Sequence, residues 1–221
     1  MLTVYLAGAD WVYASEKTNL TEMYHTCLEK PAIQKARSKE LQVLAIEDQL
    51  DREGYATMSK FELSRMAVND RIRRKRVGEI YGEGCFKSAK DFDAAALIFQ
   101  HGDSPEHFYQ SFLWSLRSVQ LGDKRNTDGV AVAIDRYLVN TGHKQLFGTQ
   151  AKAIPGKKGC FCMQQSETSV PDKMILKYAA MSKEARAKEY EKLFNQDKSC
   201  VMKECDEQLK ASPRGTVPGF W

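Results

Sequence analysis

The sequence is short of signatures that would commit it to a known chemistry. It contains no H-E-x-x-H pair, no G-x-S-x-G elbow, no glycine-rich phosphate loop and no dinucleotide fingerprint. Zincin-type, α/β-hydrolase and nucleotide-binding chemistries therefore have no support, and no motif calls for a cofactor or a metal. No apolar run approaches the about 18 residues that a membrane-spanning helix needs, so no membrane partner is expected. Charge of either sign is not in large excess: 33 basic residues stand against 29 acidic ones, for a net charge of +4. Without a strong global field, a nucleic-acid partner is not implied either.

What is present describes a globular chain, with 43% hydrophobic and 28% charged residues over 221 positions. The N-terminal stretch MLTVYLAGADWVYASEK lacks the base before its apolar run that a secretory leader wants, and Asp10 interrupts the run. Val12-Tyr13-Ala14 imitates a cleavage site, and location stays open. Residues 1–12 are read as an N-terminal segment, 13–151 as a helical domain and 152–221 as a cysteine-containing extension. The fold class is mainly α: a compact multi-helix bundle with a short extended Gly-Thr-Gln segment and an irregular C-terminal extension. Oligomeric state is not legible.

Punctuation places the helices. Pro31 separates helices at about 15–29 and 32–53, and Gly54 ends the second. Ser59 to Glu62 is a capping box opening a helix to about Tyr81, and Ser88 to Asp91 is a variant of that box. Ser104-Pro105-Glu106 starts a helix ending at Gly122, with Phe108, Phe112, Leu113 and Leu116 as its stripe. Trp114 reads as packing and His107 as surface. Another helix follows a polar loop at Asp123 to Thr127 and stops at Gly142. Pro155-Gly156 reads as a boundary, beyond which a charged helix occupies about 182–194. The basic run Arg71 to Arg76 reads as a solvated helix face, because no aromatic residues interleave it.

Polar residues on apolar stripes carry the functional reading. Asp48 and Arg52 extend the stripe of Leu41, Leu44 and Ala45, four residues apart on one face, where spacing alone reads as an ordinary surface pair at the stripe's edge. Asp70 stands on the stripe of Leu63, Met66, Ala67, Val77, Ile80 and Tyr81. His101 takes the i+7 place after Ala94, Leu97 and Ile98, toward the buried face. Asp135 and Arg136 lie in Val130 to Val139, which is apolar enough to be buried nearly all round. Buried charges need partners, and the nearest in sequence are His101 and the Gly148-Thr149-Gln150 turn.

The motifs Asp48-Gln49-x-x-Arg52, Gln100-His101, Asp135-Arg136, Gln145 and Gly148-Thr149-Gln150 stand in a recognisable order over roughly residues 40–151. In that order the chain resembles a family of small, mainly helical domains of unknown function. Asp70 matches a further acidic position of that family, whereas Gly84-Cys85-Phe86 stands where the family tends to have Gly-aromatic-Pro. The resemblance implies a helical fold and a set of residues, Gln49 and Gln100 among them, but no reaction.

The set suggests acid–base chemistry. His101 is the natural general acid or base, since its reference pKa lies nearest neutrality. Asp135 or Asp48 would orient it, and Arg52 or Arg136 would grip a carboxylate or phosphate. Thr149 and Gln150 would bond a carbonyl or amide, with Gln49, Gln100 and Asp70 completing the substrate-binding set. The expected reaction is hydrolysis or elimination on a small anionic or amide-bearing molecule or peptide. One alternative is a non-catalytic binding or immunity-type module whose buried ion pairs are structural. Another is a metal-dependent hydrolase, with His101, Asp48 and either Asp70 or Asp135 as ligands. The cysteines stay open too: Cys160-x-Cys162 and Cys200-x4-Cys205 suit disulfides, free thiols or structural zinc, depending on compartment.

Overall fold

The computed structural model describes residues 27–123, 127–195, 200–218 and 221. The N-terminal segment 1–12 and most of the helix expected at 15–29 lie outside the described residues, as does Phe220. The protein is mainly helical, with one two-stranded sheet. It divides into two compact units between Ile98 and Phe99.

The first unit is built on α1 (Gln34–Leu50) and α2 (Lys60–Gly82), followed by α3 (Ala89–Gln100). Gly54, with φ of 72°, ends the α1 region in a conformation that favours glycine. Ser59 and Glu62 then form a complete capping box. At α3 the variant box is also real: the Asp91 carboxylate accepts from the Ser88 amide at 2.8 Å while Ser88 Oγ accepts from Asp91 N. Asp91 is fully buried and accepts a further bond from Ser38 of α1, which ties α3 to the hairpin. Leu41, Val77, Ile80, Ala94, Ala95 and Ile98 supply buried apolar groups of this unit.

α1 and α2 lie against each other largely through charge. Arg76 pairs with Glu40, Glu79 and Glu83, and Arg37 with Glu40 and Glu83. Arg73 and Arg74 are buried. The basic run is thus solvated at Arg71 and Lys75 but turned inward at Arg73 and Arg74. Only a partner helix rich in carboxylates makes it buriable, and that partner comes from tertiary structure. Tyr81 and Ala67, expected on the inner stripe, are exposed.

The second unit contains α4 (Pro105–Gln120), α5 (Thr127–Asn140), β1 (Ala151–Ala153), β2 (Phe161–Met163), α6 (Asp172–Ala179) and α7 (Lys183–Phe194). Its core joins Phe112 of α4 and Val130, Ile134 and Leu138 of α5 with Leu146, Phe147, Val170, Ile175, Val217 and Trp221. Leu113 is 38% exposed and falls outside the stripe, whereas Trp114 is buried as expected. His107 is half-buried, not on the open surface. Its Nδ1 accepts from Asp103 N, and it packs so closely on Gly102 that a Cβ there would meet it at 2.3 Å.

Residues beyond 151 belong to this unit instead of forming an extension. β1 and β2 pair antiparallel, and the 143–145 segment makes bridges to Lys210 and Ser166. The physical reason is that α5 has more apolar surface than α4 alone can cover, and α6 and the C-terminal Trp221 cover the remainder.

All six cysteines are paired, as Cys27–Cys85, Cys160–Cys200 and Cys162–Cys205, with Cα separations of 5.2, 5.6 and 5.1 Å. The two C-terminal bridges tie β2 and the residue just before it to the segment beyond α7. The Cys162–Cys205 bond closes a separation of 43 residues, which by loop entropy is worth about 4 kcal/mol. Replacing both cysteines by serine is expected to lower the unfolding free energy by an amount of that order, read by denaturant titration. An unchanged midpoint under reducing and oxidising conditions would contradict the pairing.

Candidate functional site

The residues singled out in the sequence fall into one cluster in each unit. In the first, the Asp48 side chain is wholly buried at the α1 terminus, with an Arg52 guanidinium nitrogen 3.0 Å away. Arg52 also donates to Asp70 at 2.8 Å, and Arg73 donates to Asp70 at 2.6 Å and to Asp51 at 2.7 Å. Gln49 donates to Asp48 and Asn69 to Asp51, at 2.9 Å each. Three carboxylates and two guanidinium groups thus make a continuous network, and Arg73, Asp51 and Asn69 were absent from the sequence-based set. For Arg73 the signal was the basic run, which hid its inward members among outward ones; Asp51 and Asn69 carried none.

Burial pushes the Asp51 carboxyl up, but the hydrogen bonds it accepts from Asn69 and Arg73, with the Arg73 charge, together hold it below its ordinary value. Farther along the hairpin, the hydrogen bond from Arg76 is the main cause of the lowered Glu40 value.

In the second unit, Asp135 has no exposed surface. One of its oxygens accepts from Leu146 N at 2.7 Å and Phe147 N at 3.0 Å. The other accepts from Thr149 N at 3.0 Å and Thr149 Oγ1 at 2.9 Å. Burial pushes this carboxyl up, and the four donors hold it partway back. The turn that donates these bonds has Gly148 at φ of 75°, where a Cβ would also meet Lys183 at 2.9 Å. Gln145, fully buried, closes the turn from inside: it donates to the Gln150 and Gln164 carbonyls and accepts from Gln150 N.

Arg136, next to Asp135, is half-buried and points elsewhere. It donates to the Gln100 carbonyl at 2.6 Å and to the Gln150 side chain at 3.3 Å, and lies 5.7 Å from the Phe108 ring. The Gly-Thr-Gln turn therefore supplies partners for both charges. Val132, Arg136, Tyr137 and Val139 are only partly covered, so α5 is buried on one side and not all round. His101 stands half-buried just beyond α3. The hydrogen bonds of the Asp135 carboxylate all go to the 146–149 turn, so His101 takes none of them.

A cleft of about 450 Å³ opens beside that turn. Its polar rim includes Glu167, Asp172, Lys183, Glu184 and Glu204, and its apolar wall is Val170, Ile175 and Leu176. Lys183 is the first residue of α7, its stem packs over Gly148, and its ammonium donates to the Glu167 carbonyl. Burial lowers its pKa, while Asp135 and nearby carboxylates act in the opposite sense. Nothing in the local spacing around Lys183 marked it in the sequence. It reaches the turn only because α7 folds back. Among the described residues no group of three His, Cys, Asp or Glu side chains is placed to hold a metal ion, and no helix is long and apolar enough to cross a membrane. No family model, curated protein or solved structure matches this chain.

Two outcomes follow from this geometry. Asp135→Ala strands three buried amide donors, so calorimetry or denaturant unfolding is expected to show a loss of about 3 kcal/mol or more; a loss well under 1 kcal/mol would show the turn to be held by other means. For Glu40, the folded pKa lies below the unfolded value of 4.5, so its contribution is complete above that pH and is lost as pH falls through the folded value. Thermal unfolding from pH 6 to 2 is expected to show this loss in the wild type and a smaller one in Arg76→Gln.

Proposed function

We propose that this chain is a non-catalytic binding module, braced by disulfides, in which the charged clusters hold the helices and the cleft beside α7 takes the ligand. The observation that carries this reading is Asp135. Its two oxygens are engaged by three backbone amides and a hydroxyl, and a carboxylate so engaged serves as a backbone anchor, not as the orienting partner of a general base. The ionic network of Asp48, Arg52, Asp70 and Arg73 supports the same reading, because each group there has an opposite charge both beside it in the chain and across the helix pair. Three disulfides suit a protein that works in an oxidising environment.

The cleft sets the ligand class. Four acidic residues line it with a single basic one, whose ammonium is already donating to a carbonyl, beside an apolar wall. Such a lining favours an amide-bearing molecule or peptide with a positive charge, and disfavours an anion. Isothermal titration with short lysine- or arginine-containing peptides is expected to show saturable binding, weakened at least several-fold by Glu184→Gln together with Glu204→Gln. Equal affinity for acidic and basic peptides would remove the ligand assignment. A hydrolytic or eliminative turnover that His101→Ala abolishes in a folded protein would replace the whole reading with the acid–base one.

A further inference from the structure

The hairpin of the first unit buries charged groups beside Leu41, Val77 and Ile80 and leaves large apolar residues outside. Its inner surface carries Asp48, Asp70, Arg73 and Arg74, all buried, while its outer surface carries large apolar residues. On α1 the outward residues are Ala36, Lys39, Val43, Ile46 and Leu50, at alternating spacings of three and four. That is the spacing of a helix–helix seam, and it is the pattern a 17-residue helix uses to pack against another helix along its length. Val43, Ile46 and Leu50 are 44%, 60% and 56% exposed. Such a run of apolar side chains in water is unfavourable unless something covers it. Ile72, which lines a shallow groove with Leu44 and Glu47 beside the seam, widens the apolar surface.

Charge indicates what covers it. Among residues 34–53, Arg37, Glu40, Asp48, Asp51 and Arg52 all form ion pairs inside the unit. Lys35, Lys39, Glu47 and Glu53 are exposed and enter no ion pair among the described residues. These four are sorted along α1 and the turn that follows it, with the bases toward the N-terminal end of the seam and the acids toward its C-terminal end. That distribution opposes a parallel copy of itself, because like charges would meet. It complements an antiparallel copy. We infer that this face pairs with the same face of a second copy of the chain, with two α1 helices antiparallel about a two-fold axis between Val43 and Ile46. The pairing buries Val43, Ile46 and Leu50 of both copies, and sets Lys35 and Lys39 of one alongside Glu47 and Glu53 of the other. A self-complementary patch of this kind closes as a dimer and leaves no free seam. The opposed helix dipoles add to the preference for the antiparallel arrangement.

Sedimentation velocity of the full oxidised chain over a wide concentration range tests this. The wild type is expected to show a reversible monomer–dimer equilibrium, and Ile46→Glu to raise the dissociation constant by about tenfold or more, as burial of a charge at a seam centre requires. Because Ile46 is largely exposed, the far-UV circular dichroism of that variant should match the wild type. Lys35→Glu and Glu53→Lys should each weaken the dimer, and the double variant Lys35→Glu/Glu53→Lys should recover it. A concentration-independent monomer would overturn the inference; if Ile46→Glu then lowered the melting temperature, the cover would be part of the same chain. A dimer indifferent to Ile46→Glu would overturn it too. Failure of the double variant to recover the dimer would overturn the antiparallel arrangement.

Discussion

The second unit depends on one buried carboxylate. Asp135 sits inside an apolar helix and gathers the amides of Leu146, Phe147 and Thr149, which would otherwise be buried donors without partners. A backbone turn can be taken out of water only if its polar groups are satisfied, and here one side chain satisfies most of them. Once the turn is fixed, neighbouring parts have a surface to build on. Gln145 closes it internally, Lys183 packs over Gly148, and the Tyr190 hydroxyl donates to the Thr149 carbonyl. The cleft and the start of α7 are therefore positioned through the same carboxylate that the sequence offers as a catalytic partner.

The first unit uses charge differently. Its network of Asp48, Asp51, Asp70, Arg52 and Arg73 gives two helices a specific register, since each guanidinium meets carboxylates from both. Buried ion pairs add little net stability over well-packed apolar groups, yet removing one partner is costly. Register is what such a network supplies. Several inner positions of α1 and α2 are thereby given to charge, with Leu41, Val77 and Ile80 as the apolar remainder, while Val43, Ile46, Val68 and Ile72 stand outside. The Cys27–Cys85 bridge and the bond from Cys27 N to the Glu83 carbonyl anchor the chain that enters this unit.

Much of this was legible residue by residue. The capping boxes at Ser59 and Ser88 act where their spacing says, and Gly54 and Gly142 end helices with the positive φ that favours glycine. Asp70 and Asp135 are buried, as carboxylates on apolar stripes suggested, and so is Asp48, whose spacing alone reads as a surface pair. The β strands are three residues each, too short for periodicity to register, and α6 is a two-turn helix after Pro171. Those elements could be seen only once folded. Arg73 and Arg74 were indistinguishable from their solvated neighbours because a run of bases carries no mark of which members turn inward.

The sequence by itself determined where helices start and stop and which polar residues must find partners, because capping, glycine conformation and burial periodicity are local properties of the chain. Tertiary structure alone decided who those partners are. Six cysteines allow fifteen pairings, and only the approach of Cα atoms to between 5.1 and 5.6 Å selects one. A buried aspartate asks for donors without naming them, and the fold answered Asp135 with the backbone of a turn. Partner identity depends on distances between residues remote in the chain, and no local pattern encodes those.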